Sequence, residues 1–164
     1  GMCLQKYIDP LYNDVTAETR NVRKNIIHIF RYNEILLNYA EAMNEYTGPT
    51  SDVYSAINAI RSRVGMPDLP SNLTQDQMRE KIRHERRVEL AFEDHRFWDV
   101  RRWMTAPDDL NAPLKGVKVT RLSYNSFEYQ SVEVESRSFK RSMYFYPIPQ
   151  NELNITGWPQ NPLW

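Results

Sequence analysis

Two glutamates one helical turn apart are the residues in this sequence best placed for acid–base chemistry. Glu85 and Glu89 are four positions apart, and two carboxylates about 5–9 Å from each other can share the hydrolysis of a glycosidic bond. A general acid needs a raised pKa, however, whereas neighbouring arginines keep a carboxylate ionised. The pattern therefore favours a structural network of acids and arginines, and we predict no catalytic residue. The predicted network comprises Glu85, Glu89, Arg96, Asp99, Arg101 and Arg102.

The same segment opens like a zinc-protease motif. His84-Glu85 matches the start of H-E-x-x-H, but the fifth position is Val88, so the second histidine ligand is missing. The chain has one cysteine and three scattered histidines, and it has no glycine-rich phosphate loop. The sequence therefore predicts no metal site and no cofactor.

Charge balance argues against a nucleic-acid partner. Lys+Arg and Asp+Glu each total 21, so the formal net charge is zero and no global field attracts polyanions. Trp98 and Trp103 do stand among arginines in the segment 83–103. Tryptophans can stack on bases while arginines contact phosphates. Acids at five positions of that segment cancel its basic character.

The elements that must position these residues are mainly helical. Apolar residues at helical spacing predict a first helix over 30–46, with one apolar stripe, and Gly48-Pro49 ends it. The stripe comprises Ile35, Tyr39, Ala42, Met43 and Tyr46. A second helix over 51–64 carries the same periodicity at Val53, Ile57, Ile60 and Val64. The pair forms a tetratricopeptide-like hairpin, although no second copy of the repeat is present.

A long third helix has the clearest start. Thr74 and Gln77 fit a capping box, so the helix is predicted over 75–93. Its narrow buried stripe comprises Met78, Ile82, Glu85, Glu89 and Phe92. A further helical turn or two follows over 97–104, and Pro107 with Asp108-Asp109 is predicted to break the chain.

The last third of the chain changes character. Strands are predicted over 117–122 and 127–134 around a turn at 123–126, which makes a small β-hairpin. The tail from Tyr146 contains four prolines and is predicted to be irregular and extended. Aromatic residues free of the core can serve as platforms for sugar rings. The candidates for ligand binding are Tyr124, Phe127, Tyr129, Trp158 and Trp164.

Three blocks of this sequence resemble the SusD/RagB family, in that family's order. The first is RYNEILLNYAEA at 31–42 with INAIRSR at 57–63, and the second is IRHERRVELAFE at 82–93 with RFWDVRRW at 96–103. The third is YPIP at 146–149 with QNP at 160–162. The family usually has glycine where this chain has Asp94. We expect a left-handed turn there, which aspartate tolerates at a modest cost in stability.

The resemblance implies a mainly α fold and a non-catalytic function. The chain is predicted to be a single domain, 1–164, from the carboxy-terminal part of a longer protein: an irregular lead-in (1–29), a helical region (30–105), then the hairpin and tail (106–164). The implied protein is an outer-membrane, cell-surface lipoprotein of Bacteroidetes. It binds an oligosaccharide or glycopeptide and partners a TonB-dependent transporter in nutrient uptake.

One alternative remains open from the residues themselves. A helical-repeat scaffold that binds only protein would use the helix pair 30–65 as its working surface. The apolar faces of that pair also predict self-association of the isolated chain, because a helical-repeat unit cannot bury its own face.

Overall fold

The computed structural model describes Lys6 and residues 29–164. The chain divides into two compact units, Gly1–Glu93 and Asp94–Trp164. The described residues form six α-helices and one two-stranded antiparallel sheet. The helices are α1 (Tyr32–Thr47), α2 (Ser51–Arg63), α3 (Gln75–Glu89), α4 (His95–Arg102), α5 (Ala106–Leu110) and α6 (Gln150–Thr156). The strands are β1 (Leu114–Ser123) and β2 (Ser126–Glu135).

These elements confirm the mainly α fold with a small β-hairpin. The predicted lead-in, 1–29, lies outside the described residues except for Lys6 and Ile29. The single domain over 1–164 stays a prediction. Within the described part of the chain, no helix is both long enough and apolar enough to span a bilayer.

The core of the first unit lies where α1, α2 and α3 pack together. Leu37, Val53, Ile57, Met78 and Ile82 are all at most 1% exposed. On α2 and α3 these residues recur at helical spacing, so each helix turns one apolar face inward. The predicted positions Val53, Ile57 and Ile60 of α2 are confirmed, whereas Val64 follows the helix and is exposed.

Most of the predicted stripe of α1 is on the wrong face, although Met43 does pack against the core. Ile35, Tyr39 and Tyr46 are exposed, and the buried positions are Leu37, Ala40 and Asn44. Helix α1 is apolar on two faces, and α2 and α3 both pack against the one that carries Leu37. Periodicity shows that an apolar face exists, but it does not show which of two faces has a neighbour.

Polar contacts fix the end of α1 against the start of α3. The amide of the buried Asn44 donates to the Gln75 carbonyl oxygen at 3.0 Å, and the Gln75 amide donates back to the Asn44 carbonyl oxygen at 2.6 Å. The predicted capping box is confirmed: Gln77 N donates to Thr74 Oγ1 at 3.2 Å, and Thr74 N donates to Gln77 Oε1 at 2.9 Å. Two backbone donors at the start of α3 are thereby satisfied.

Helix α3 ends at Glu89, one turn earlier than predicted. Phe92 then adopts a left-handed backbone conformation and is exposed, so it does not continue the buried stripe of Met78, Ile82 and Glu85. Asp94 is also left-handed, with φ of 60°, which confirms the turn expected there.

The second unit has a small core of its own. Val100 of α4, Ala106 of α5 and Phe139 are buried together, and Phe139 meets Tyr144 edge to face at 5.0 Å. The predicted chain break at Pro107 is wrong, because α5 contains this proline in its first turn. Proline is tolerated there, since the N–H that it lacks would have no helical partner.

The hairpin lies where the sequence placed it. Strands β1 and β2 pair antiparallel across the turn at Tyr124-Asn125, with Val119 opposite Tyr129 and Arg121 opposite Phe127. A register shift near the open end leaves Val134 out of the pairing. A Cβ added to Gly116 would lie 2.6 Å from Val134 Cγ2, so a larger residue at 116 would force the Val134 side chain or the backbone to shift.

The tail is not extended throughout. Residues Gln150–Thr156 form α6, which Gly157 ends in the left-handed conformation, so the prediction of an irregular tail is wrong over this segment. The Gln160 side chain holds the segment before α6, at Ile148. Its amide oxygen accepts from Ile148 N at 2.7 Å, and its amide nitrogen donates to Ile148 O at 2.9 Å.

Candidate functional site

Glu85 and Glu89 of α3 are paired with arginines that precede them in the chain. Arg61 of α2 donates to Glu85 Oε2 at 2.7 Å. Glu89 Oε1 accepts from Asn33 Nδ2 at 2.7 Å and from Arg63 NH2 at 2.8 Å, and it also pairs with Arg31. The acid network is therefore real, but its cations come from the α1 and α2 regions.

The predicted cations of this network have other partners within the second unit. Arg96 pairs with Asp109 at 2.5 Å, and Arg102 pairs with Asp99 at 2.9 Å. Arg101 donates to the Phe97 carbonyl oxygen at 2.9 Å and places its guanidinium 3.5 Å from the centre of the Phe97 ring. These arginines therefore have partners within their own unit, and their predicted pairing with Glu85 and Glu89 stays a prediction.

Arg31 also closes the end of α3. Its Nε donates to both carboxylate oxygens of Glu93, at 3.1 and 2.9 Å, and its NH2 donates to the Glu89 carbonyl oxygen at 2.5 Å. Lys6 Nζ donates to that same carbonyl oxygen at 2.8 Å and to the Ala91 carbonyl oxygen at 2.9 Å. Cations are favourable at a helix C-terminus, where carbonyl groups lack helical donors.

The electrostatics of this cluster oppose acid catalysis. Burial raises the pKa of Glu89. Hydrogen bonds from Arg31 and Asn33, and the charges of Arg31 and Arg63, lower it by more than burial raises it, so the net shift is downward. The pKa of Glu93 is likewise lowered by Arg31 and Lys6 against the effect of burial. Carboxylates held ionised in this way are poor proton donors at neutral pH.

Among the described residues, no three His, Cys, Asp or Glu side chains come together as a metal site. His84 and Val88 are both exposed on α3.

Three of the five ligand-binding candidates belong to the hairpin. Because Tyr129 lies opposite Val119 and Phe127 opposite Arg121, strand alternation places these four side chains on one face, together with Val117. Phe127 is 47% exposed and Tyr129 69%. The opposite face is mostly polar: it carries Lys118, Thr120, Glu128 and Gln130, together with Val132 opposite Gly116. Tyr124 is exposed at the turn.

The two tryptophans of the tail differ from each other. The Trp164 indole N–H donates to the carbonyl oxygens of Ser142 and Phe145, at 3.0 and 2.9 Å, so this side chain anchors the tail. Trp158 is exposed. The structure therefore gathers Phe127 and Tyr129 on one face of the hairpin, whereas Trp158 and Trp164 belong to the tail.

Sequence reasoning missed Arg121 as a member of this face. Its position opposite Phe127 follows from the strand alternation that predicted the hairpin, so the signal was present. It also missed the packing on α4, where Phe97 meets Trp98 edge to face at 4.9 Å and Trp98 stays exposed.

Comparison with known proteins identifies the class. The model of the SusD family matches residues 1–164, and the chain belongs to this family. The chain is 30% identical over 141 residues to the SusD-like protein P2 of Formosa agariphila, covering 80% of this chain and 25% of that protein. It is 37% identical over 101 residues to the SusD-like protein P25 of the same organism, covering 59% and 19%.

Solved structures agree. A SusD homolog from Bacteroides thetaiotaomicron VPI-5482 matches with a TM-score of 0.60 and 32% identity over 82% of this chain and 26% of that one. A SusD superfamily protein from Parabacteroides distasonis ATCC 8503 has the same fold, with a TM-score of 0.56 and 22% identity over the same shares. The chain thus spans about a quarter of the length of these relatives.

Proposed function

We propose that this chain is part of a non-catalytic nutrient-binding lipoprotein at the outer membrane and cell surface. It binds an oligosaccharide or glycopeptide and works with a TonB-dependent transporter. Membership of the SusD family supports the class. The observation that carries the binding role is the aromatic–valine face of the hairpin, formed by Val117, Val119, Phe127 and Tyr129, because all four side chains are exposed.

This face has the chemistry that a sugar ring requires. Phe127 and Tyr129 are two residues apart on β2, so their rings lie about 7 Å apart along the strand and can each contact a ring of an extended oligosaccharide. Aromatic rings offer large apolar surfaces at a small entropic cost, since each has only two side-chain torsions. The neighbouring valines widen the apolar surface without adding charge.

Affinity electrophoresis in gels that contain single polysaccharides tests the proposal. We expect retardation by at least one polysaccharide. The double variant Phe127→Ala/Tyr129→Ala should bind at least about tenfold more weakly, which corresponds to about 1.4 kcal/mol. Tyr32→Ala/Tyr46→Ala removes two exposed aromatics from α1 and is the control. If no polysaccharide retards the chain, or both double variants weaken binding equally, the proposal is wrong.

The non-catalytic assignment has its own test. The acids of α3 are paired with arginine, so incubation with any bound polysaccharide should release no reducing ends. Reproducible turnover that Glu85→Gln or Glu89→Gln abolishes would overturn it.

A protein-binding scaffold is the second candidate, and the exposed face of α1 favours it. Tyr32, Ile35, Tyr39 and Tyr46 recur at helical spacing and are exposed. Such a stripe suits packing by a further helix, as in a tetratricopeptide-like array. Light scattering should then show self-association that Ile35→Lys reduces. A monodisperse monomer at all concentrations would argue against this use of the stripe.

A further inference from the structure

One cation borders the aromatic–valine face of the hairpin. Arg121 lies opposite Phe127, on the same face and next to the turn, and it is exposed. Glu128, its nearest acid in sequence, lies on the other face, across from Thr120. The acid on the same face is Glu133, which stands opposite Lys115 at the other end of the hairpin.

Contacts with the turn hold Arg121 in place. Its Nε donates to the Ser123 carbonyl oxygen at 3.0 Å, and its NH2 donates to the Tyr124 carbonyl oxygen at 3.3 Å. The guanidinium carbon lies 5.4 Å from the centre of the Tyr124 ring. These bonds engage two of the five N–H donors of the guanidinium, which leaves three for a ligand.

The described residues offer Arg121 no carboxylate partner, unlike several arginines of the helical regions. Arg31, Arg61 and Arg96 each bind an acid of their own unit. Arg121 instead presents a fixed, exposed charge at the edge of an apolar platform. The complementary ligand combines an apolar ring face with an anionic group at one side of that ring.

We propose that the hairpin tip is a subsite for an acidic sugar, with its ring on Phe127 and Tyr129 and its carboxylate bound by Arg121. This inference rests on the proposed function and names the ligand class for the same face. A uronic acid fits, because its carboxylate is attached directly to the ring. The planar guanidinium binds a carboxylate through two parallel N–H donors, a geometry that an ammonium group cannot offer.

Titration calorimetry with the whole chain tests the inference. The probes are oligomers of galacturonate, mannuronate and glucuronate, each compared with the neutral oligomer of the same length and linkage. We expect at least one acidic oligomer to bind about tenfold or more tightly than its neutral counterpart. This preference should shrink as salt is raised, because an exposed ion pair is screened. A sulfated oligomer is added to separate carboxylate from sulfate recognition.

Three variants separate the effect of the charge from any effect on the fold. Arg121→Gln should abolish the preference for the acidic oligomer while binding of the neutral one is retained. Lys118→Gln removes a cation from the polar face of the same strand and should leave the preference unchanged. Arg121→Lys keeps the positive charge but cannot offer two parallel N–H donors to a carboxylate, so an intermediate preference is expected. It replaces Arg121→Gln as the deciding variant if amide exchange shows that the latter loosens the hairpin.

The outcomes distinguish this inference from the proposed function. Equal binding of neutral and acidic oligomers that depends on Phe127 overturns the acidic subsite alone. A preference that survives Arg121→Gln, or that favours the sulfated oligomer over the uronate, also overturns it. Absence of binding to every oligomer overturns both the subsite and the glycan-binding role.

Discussion

The helical unit and the β-hairpin place their apolar residues in opposite environments. Leu37, Val53 and Ile57 are fully buried between α1, α2 and α3. In the hairpin, Val117 and Val119 are each more than half exposed, although they lie in regular strand pairing. Burial of apolar surface stabilises the helical unit, whereas backbone hydrogen bonds between β1 and β2 define the hairpin.

This difference assigns the two regions different tasks. A two-stranded hairpin without a packed face is marginally stable in water, so its exposed apolar side chains add little to its own stability. Exposed apolar groups that share one face are typical of interaction surfaces. Under the proposed function, the helical unit is the scaffold and the hairpin is the contact element.

The largest expected effect comes from truncating one apolar side chain in each region. Ile57→Ala should lower the free energy of unfolding by about 3–4 kcal/mol, because it opens a cavity in a packed core. Val119→Ala should lower it by less than about 0.5 kcal/mol, since the side chain is already in water. Urea denaturation followed by circular dichroism measures both. Equal losses would mean that the hairpin face is packed in solution.

The next largest loss of stability should come from the acid cluster of the helical unit. Glu89→Ala removes the shared acceptor of Arg31, Asn33 and Arg63, and we expect a loss of about 2–3 kcal/mol. Arg31 keeps Glu93, which limits the effect. Glu80→Ala is the control on the same helix. The Glu80 side chain is 73% exposed and its ion pair with Arg83 is long, at 3.6 Å, so the expected loss of stability is about 0.5 kcal/mol or less. An unchanged urea midpoint for Glu89→Ala would contradict the structural role.

Acid should weaken the helical unit through the same cluster. Folding lowers the pKa of Glu89 and Glu93 below the ordinary 4.5, so the unfolded chain binds protons first as the pH falls. The stability that these groups contribute is fully present above about pH 4.5 and is lost as the pH falls through their folded-state pKa. Urea midpoints between pH 7 and 3 should therefore fall more steeply for the wild type than for Glu89→Gln. Parallel curves would exclude Glu89 from the acid response.

The smallest effect should be confined to the hairpin. Gly116→Ala brings a methyl group against Val134, so one of the two must shift, at a cost of about 1 kcal/mol. We expect faster amide exchange in β1 and β2 and unchanged exchange in α1–α3, as measured by NMR. Ser131→Ala, at an exposed position of β2, should change neither. Slower exchange in the hairpin of Gly116→Ala would show that the glycine is not required.

Local signals were sufficient to predict several elements. Thr74 and Gln77 specify the start of α3 within four residues, and the turn at 123–126 specifies the hairpin. The end of α3 could not be predicted in the same way. Its last carbonyl groups bind Arg31 and Lys6, which lie 58 and 83 residues earlier, and no local pattern identifies such partners.

The candidate site shows the same limit. The inward-facing acids Glu85 and Glu89 followed from the helical stripe, but their partners within the first unit did not. Those cations, Arg31 and Arg61 among them, depend on how α1 and α2 pack on α3, which is a tertiary property. For the hairpin, strand alternation was sufficient to place Phe127 and Tyr129 on one face.

The contacts of Arg31 also bear on the order in which the helical unit assembles. Arg31 meets Glu89 and Glu93 across 58 and 62 residues of intervening chain. These contacts require a loop that contains α1, α2 and α3 to close, and closing so long a loop is entropically costly before the helices have docked. Arg31 should therefore engage after the rate-limiting step of folding. Loss of this residue would then speed unfolding and leave the folding rate almost unchanged, so the cluster acts as a kinetic latch on the native state.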